Sequence, residues 1–177
     1  PTHCYLGATE SKIVDAQAGM ESGMSALVGA LAGINMISGA GMLDFLACHS
    51  PEKLTIDAEA IGMAKRMLEG VQVRTETLAT AMFEGINFKG DFLKQRITRE
   101  LFSKEQYLPS DIIDRDSIRG WQASGQMDTF ARAKIRTQKL LKEYQRPQMD
   151  AEKEKKLVNM MKNLAKEAGM NSLPALE

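Results

Sequence analysis

The chain has 177 residues, 44% hydrophobic and 26% charged, values that exclude a disordered or collagen-like polymer and predict one main globular domain with an appended tail. Lysine and arginine total 23 and aspartate and glutamate total 23, so no global positive field is available for nucleic acid or an anionic membrane. Two cysteines, Cys4 and Cys48, are too few for a secreted multi-disulfide framework and predict a reducing, cytoplasmic setting.

No basic segment followed by an apolar core and a cleavage site opens the chain. Pro1 in place of a methionine fits either removal of the initiator or a piece of something longer. Residues 1–50 hold one basic residue, Lys12, and seven of the 14 glycines, the composition of a protein interior. Pro1–Leu6 is apolar and ends at Gly7, which predicts a strand followed by the polar loop Gly7–Val14. Asp15 is placed to cap an apolar, small-residue helix over Ala16–Ala32. Ile34–Ile37 is a second short apolar run, closed by Ser38-Gly39-Ala40-Gly41. The order strand, loop, helix, strand, loop predicts a βαβ unit with parallel strands. Ser22–Leu43 carries no charge, but its five glycines, three serines and Asn35, without basic flanks, fit buried soluble structure better than a membrane span.

Ser50-Pro51-Glu52 is a helix start: a capping hydroxyl, a proline at the first position and an acid at the positive dipole end. The helix is predicted to reach Leu68 and stop at Gly70, covered along two stripes, Leu54/Ala58/Ile61 and Ile56/Ala60/Met63/Met67. Helices are expected near Thr75–Glu84, Phe92–Phe102 and Ser117–Ala123. Two more follow: Met127–Tyr144, with Phe130, Ala133, Leu140, Leu141 and Tyr144 on one face, and Asp150–Ala168, with Leu157, Met161, Leu164 and Ala168, separated by Pro147.

His3-Cys4 and Cys48-His49 are soft ligand pairs, yet adjacent residues on a strand point to opposite faces, so no metal site is expected. No Ser/His/Asp arrangement stands in an interpretable context. Gly39-Ala40-Gly41 has Asp44 where a dinucleotide loop needs its third glycine. The informative feature is the pair of loops after the two strands. Thr9, Glu10, Ser11, Lys12 and Asp15 lie in the first, and Gly39, Gly41, Asp44 and Phe45 in the second. In a parallel βα array both open at the carboxyl ends of neighbouring strands, where such folds place their sites.

The stretches GATESKIVDAQAGMESGMSALVGALAGINMISGAGMLDF (Gly7–Phe45), SPEKLTIDAEAIGMAKRMLEGV (Ser50–Val71) and GDFLKQRITRELF (Gly90–Phe102), with the segment around Trp121, resemble the trimethylamine:corrinoid methyltransferase superfamily. The resemblance spans nearly the whole chain and implies an α/β fold: a portion of a TIM-type β/α barrel, its carboxyl-terminal βα units at residues 1–71, followed by a helical extension at residues 72–177 that packs on the barrel. A complete barrel needs about 250 residues, and only two clear strands are legible here.

The resemblance implies transfer of a methyl group from a methylated amine to the Co(I) corrinoid of a cognate partner protein, with no cofactor bound covalently by the chain itself. Some relatives use trimethylamine and carry pyrrolysine in this part of the barrel; others use quaternary amines such as glycine betaine and have an ordinary residue there. Lys12 is a candidate for that position, and as a true lysine it favours a quaternary substrate. In the implied site Asp44 or Glu10 faces the substrate cation, Phe45 or Tyr5 offers a ring face, and Lys12 or backbone amides meet a substrate carboxylate. Gly7, Thr9, Gly39 and Gly41 belong to the loops facing the corrinoid. Plainer roles stand beside these: Asp15 as a helix cap, Lys12 as a solvated loop residue, Phe45 as core. The competing reading is a stand-alone helical interaction module that kept the family sequence without catalysis. Either way, two strands leave unpaired edges, which predicts association with copies of the chain or with the remainder of a barrel.

Overall fold

The computed structural model describes residues 1–73, 80–84, 86 and 90–173. Strand β1 (His3–Tyr5) pairs in parallel with β2 (Met36–Ser38), in the register His3 to Met36, Cys4 to Ile37 and Tyr5 to Ser38. Helix α1 (Ala16–Leu31) connects them, giving the βαβ order expected from the apolar runs. Asp15 accepts the Ala18 N–H at 3.0 Å and so caps α1. The buried residues of α1 are Ala18, Ser22, Ala26 and Gly29, a stripe of small side chains. A Cβ on Gly29 would stand 2.6 Å from Leu6 Cδ1 and 2.8 Å from Ile37 Cδ1, so the bare α-carbon sets how closely the helix lies on the strands. His3, Tyr5, Met36 and Ser38 share the other face of the pair. Tyr5 and Met36 are exposed there, and His3 Nε2 meets Ser38 Oγ at 2.7 Å.

A two-residue hairpin absent from the sequence-based expectation follows: β3 (Met42–Leu43) pairs antiparallel with β4 (Cys48–His49). Helix α2 (Pro51–Leu68) starts and stops as expected, with the Ser50 hydroxyl accepting the Lys53 N–H at 3.1 Å and Gly70 in the left-handed region at φ +65°. Its burial is a correction. Leu54, Met63 and Met67 of the expected stripes are exposed, whereas the buried residues are Lys53, Asp57, Glu59 and Ala64. Polar side chains fill the interior face because each finds partners on the neighbouring elements.

The helix expected at Thr75–Glu84 lies partly outside the described residues; within them, Thr80–Phe83 forms a 3-10 turn. The expectation at Phe92–Phe102 is shifted: a 3-10 turn at Phe92–Lys94 is followed by α3 (Arg96–Glu105), because extended Gln95 (φ −67°, ψ 135°) interrupts the helical run. Helix α4 (Ile118–Ala123) is capped by Ser117. Helix α5 (Thr129–Glu143) buries Ala133 and Thr137 rather than its leucines, since Thr137 Oγ1 meets Thr55 Oγ1 of α2 at 2.9 Å. The segment before α4 is tied to α2 by Glu59, whose carboxylate accepts the Tyr107 hydroxyl at 2.5 Å, the Ser110 hydroxyl at 2.5 Å and the Ser110 N–H at 3.1 Å.

Pro1–Lys142 form one compact unit and Glu143–Glu177 a second. The second is built on α6 (Ala151–Glu167), with Asp150 capping the Lys153 N–H at 3.0 Å. The apolar face expected there, Leu157, Met161, Leu164 and Ala168, is exposed, and the buried residue is Ala165 instead. Among the described residues no helix is long and apolar enough to cross a membrane.

Candidate functional site

The loops after β1 and β2 are joined to one another. The Thr9 N–H donates to the Met42 carbonyl at 3.3 Å, the Asp44 N–H to the Ser11 carbonyl at 2.9 Å and the Phe45 N–H to the Thr9 carbonyl at 2.8 Å. The hairpin that carries Asp44 and Phe45 is thereby zipped onto the loop that carries Glu10 and Lys12. Two consecutive residues at its tip, Asp44 at φ +48° and Phe45 at φ +60°, occupy the left-handed region, which is strained for a bulky side chain. Both residues are exposed, Phe45 at 54%.

The expected residues separate into two groups. Tyr5, Thr9, Glu10 and Phe45 line one concavity of about 470 Å³, together with Glu21 and Met24 of α1. Lys12 and Asp44 instead pair with each other, Nζ to Oδ1 at 3.0 Å, and Lys12 also donates to the Glu10 carbonyl at 2.8 Å. Both members are well exposed, so the pair is easily opened. Glu21 was not singled out by sequence. It accepts the Thr9 hydroxyl at 2.6 Å, the Glu10 N–H at 2.8 Å and the Gln17 amide at 2.9 Å. Those donors, the Thr9 hydroxyl foremost, hold its carboxyl below the usual glutamate range, so it is an anion at neutral pH.

The glycines serve the junction itself. A Cβ on Gly39 (φ +138°) would stand 2.7 Å from the Leu6 carbonyl oxygen, and one on Gly41 (φ +82°) 2.7 Å from His49 Nε2, so both are needed for the turns to approach. Gly7 is buried and donates its N–H to Ser25 Oγ at 2.9 Å, and Thr9 is buried too. Beneath the junction, buried Lys53 donates from Nζ to the Gly7 carbonyl (3.1 Å), to Ser22 Oγ (2.7 Å) and to Asp57 Oδ2 (2.5 Å). The same Asp57 oxygen accepts the Gly41 N–H at 2.7 Å. Sequence reasoning missed this pair. Its signal was the Lys53/Asp57 spacing of four, which on most helices marks a solvated face.

Both cysteines are free thiols, and among the described residues no three His, Cys, Asp or Glu side chains gather as metal ligands. What the arrangement offers is an anionic carboxylate and two aromatic rings around a recess, with a detachable ammonium beside it. These are the elements of a site for an organic cation.

Residues 1–169 match the family model described as trimethylamine methyltransferase (MTTB). The chain belongs to that family. It is 40% identical over 154 residues to the trimethylamine methyltransferase MttB2 of Methanosarcina mazei, covering 86% of this chain and 30% of the relative. A trimethylamine methyltransferase of Methanosarcina thermophila is 38% identical over 154 residues, 86% of this chain and 31% of its own length. The glycine betaine methyltransferase of Desulfitobacterium hafniense is 34% identical over 170 residues, 96% of this chain and 35% of its own length. The chain thus spans about a third of the length of these family members.

Proposed function

We propose that this chain is the carboxyl-terminal part of a β/α-barrel methyltransferase, residues 1–71 supplying βα units and residues 72–177 a helical extension, and that the whole enzyme moves a methyl group from a quaternary amine to the Co(I) corrinoid of a partner protein. The observation that carries this reading is the junction of the two strand-end loops, which gathers Tyr5, Glu10 and Phe45 at one recess in a member of the trimethylamine methyltransferase family.

A quaternary ammonium already has a neutral amine as leaving group. The Co(I) electron pair forms the cobalt–carbon bond while the carbon–nitrogen pair leaves with nitrogen, and no general acid is required. The corrinoid is a substrate delivered by its partner. The chain's own residues bind, orient and exclude water. Glu10 and Asp44 face the cation, Tyr5 and Phe45 present ring faces to it, and Lys12, released from Asp44, meets a carboxylate on the substrate. The backbone turns at Gly7, Thr9, Gly39 and Gly41 shape the rim against which the corrinoid protein docks. The remainder of a barrel, or further copies of the chain, covers the exposed face of β1 and β2.

The test is a substrate series on the full-length enzyme with its corrinoid protein. Quaternary amines are expected to outperform trimethylamine; a strict preference for trimethylamine overturns the substrate class. Failure of every methylated amine leaves the interaction-module reading in its place.

A further inference from the structure

We propose that Lys53 and Asp57 are positioning residues that hold the two site-bearing loops in register from below, an assignment that rests on the function proposed above. Burying two opposite charges requires extensive desolvation, and an apolar pair of similar volume is often as stable or more so. The Lys53–Asp57 pair is buried, with side chains 1% and 5% exposed. Apart from each other, its partners lie off α2: the Gly7 carbonyl at the start of the first loop, the Gly41 N–H in the second, and Ser22 of α1. One ion pair therefore contacts both loops and the helix between the strands.

The direction of each bond fits that role. Gly41 has φ +82°, and the Asp57 carboxylate accepts its N–H. Gly7 has φ +81°, and its carbonyl receives the Lys53 ammonium. The backbone at each turn is thus fixed by a charge-assisted bond, stronger and more directional than a neutral one. Reacting groups displaced by even about 1 Å lose much of their rate, and while Glu21 and Ser25 of α1 hold the first loop, the Lys53–Asp57 pair is bonded to the first and the second together.

Two double variants of the full-length enzyme separate positioning from plain stability. K53M/D57L replaces the pair by apolar side chains, and K53M/D57N keeps an acceptor for the Gly41 N–H. K53M/D57L is expected to melt within roughly 4 °C of the parent while kcat/KM falls about tenfold or more, chiefly in kcat. Amide hydrogen exchange is expected to rise in both loops, residues 7–12 and 39–45, with α1 and α2 unchanged. In K53M/D57N exchange rises in residues 7–12 alone, and much of kcat returns. Parental kinetics with parental loop exchange in K53M/D57L overturns the proposal. If K53M/D57L does not fold, K53M/D57N decides: exchange unchanged in residues 7–12, or raised uniformly over the helices, overturns it. If the parent transfers no methyl group, the proposed function fails while the exchange pattern still decides the positioning role.

Discussion

Asp44 and Phe45 stand at adjacent left-handed positions, and substitutions there are expected to separate binding from folding. Asp44 pairs with Lys12 on an exposed surface, where an ion pair contributes about 0–1 kcal/mol. Replacing Asp44 by Asn, which tolerates the same backbone region, is therefore expected to change unfolding free energy by less than about 1 kcal/mol. The loss of a charge contact to a bound cation is expected to weaken turnover by about 1.5–3 kcal/mol in kcat/KM. Phe45→Leu keeps apolar bulk and removes the ring face, at about 0.5–2 kcal/mol in cation binding. Steady-state kinetics beside denaturant unfolding separates the two effects, and parental turnover in both variants removes these residues from the cation site. Further into the chain, Glu59 gives a pH signature. Burial pushes its carboxyl up, but the Ser110 and Tyr107 hydroxyls, the Ser110 N–H and the charge of Arg136 outweigh burial and hold it below the usual range. A carboxyl lowered in the folded state contributes stability that is present above the unfolded value, about 4.3, and is lost as pH falls through the folded one. Tyr107 behaves oppositely. Burial first, then the Glu59 carboxylate, pushes its phenol up from 10.0 to about 12, so its contribution is intact below about pH 10 and is lost as pH rises through about 12. Denaturant midpoints across pH are expected to fall at both ends, and Glu59→Gln is expected to flatten both limbs; unchanged limbs contradict the assignment.

At the scale of elements, Gly39 decides whether the second loop can fold against the first. Its φ of +138° disfavours any side chain, and a Cβ there meets the Leu6 carbonyl oxygen, a backbone atom unable to step aside. Gly39→Ala is expected to cost about 1–3 kcal/mol by denaturant unfolding, whereas Gly23→Ala, in open space on α1, is expected to be neutral or stabilising. Equal effects contradict this account of the junction. The elements legible in the sequence were those with a local chemical cause: Asp15 and Ser50 cap helices, Gly70 ends one, and two short apolar runs flank an apolar, small-residue helix and pair in parallel as expected. The same order placed the two loops side by side. What was not legible depended on contacts distant in sequence. The β3–β4 hairpin has two residues per strand, too few for an alternation to show. The buried face of α2 is polar, and Lys53, Asp57 and Glu59 look like solvent residues until Gly7, Gly41, Tyr107 and Ser110 arrive to pair with them. Glu21 escaped for the same reason, since its donors Thr9 and Glu10 reach it from the preceding loop.

Over the whole molecule, apolar surface is displayed where a larger fold would bury it. Met20, Met24, Val28 and Leu31 run exposed along α1, and Tyr5 and Met36 lie bare on one face of a two-stranded sheet. Exposed apolar surface of this extent favours association. Expressed alone, the 177-residue chain is expected to self-associate or aggregate, read by light scattering. A well-behaved monomer with a cooperative thermal transition supports a self-sufficient fold and counts against membership of a larger barrel. Methyl transfer to cobalt is read directly in the absorption spectrum of the reduced corrinoid protein when the full-length enzyme and a quaternary methylated amine are added. Loss of the Co(I) spectrum and appearance of the methyl-Co(III) spectrum are expected, in proportion to demethylated amine formed. An unchanged Co(I) spectrum with every methylated amine, from a corrinoid protein that accepts a methyl group from another donor, would contradict the proposed transfer.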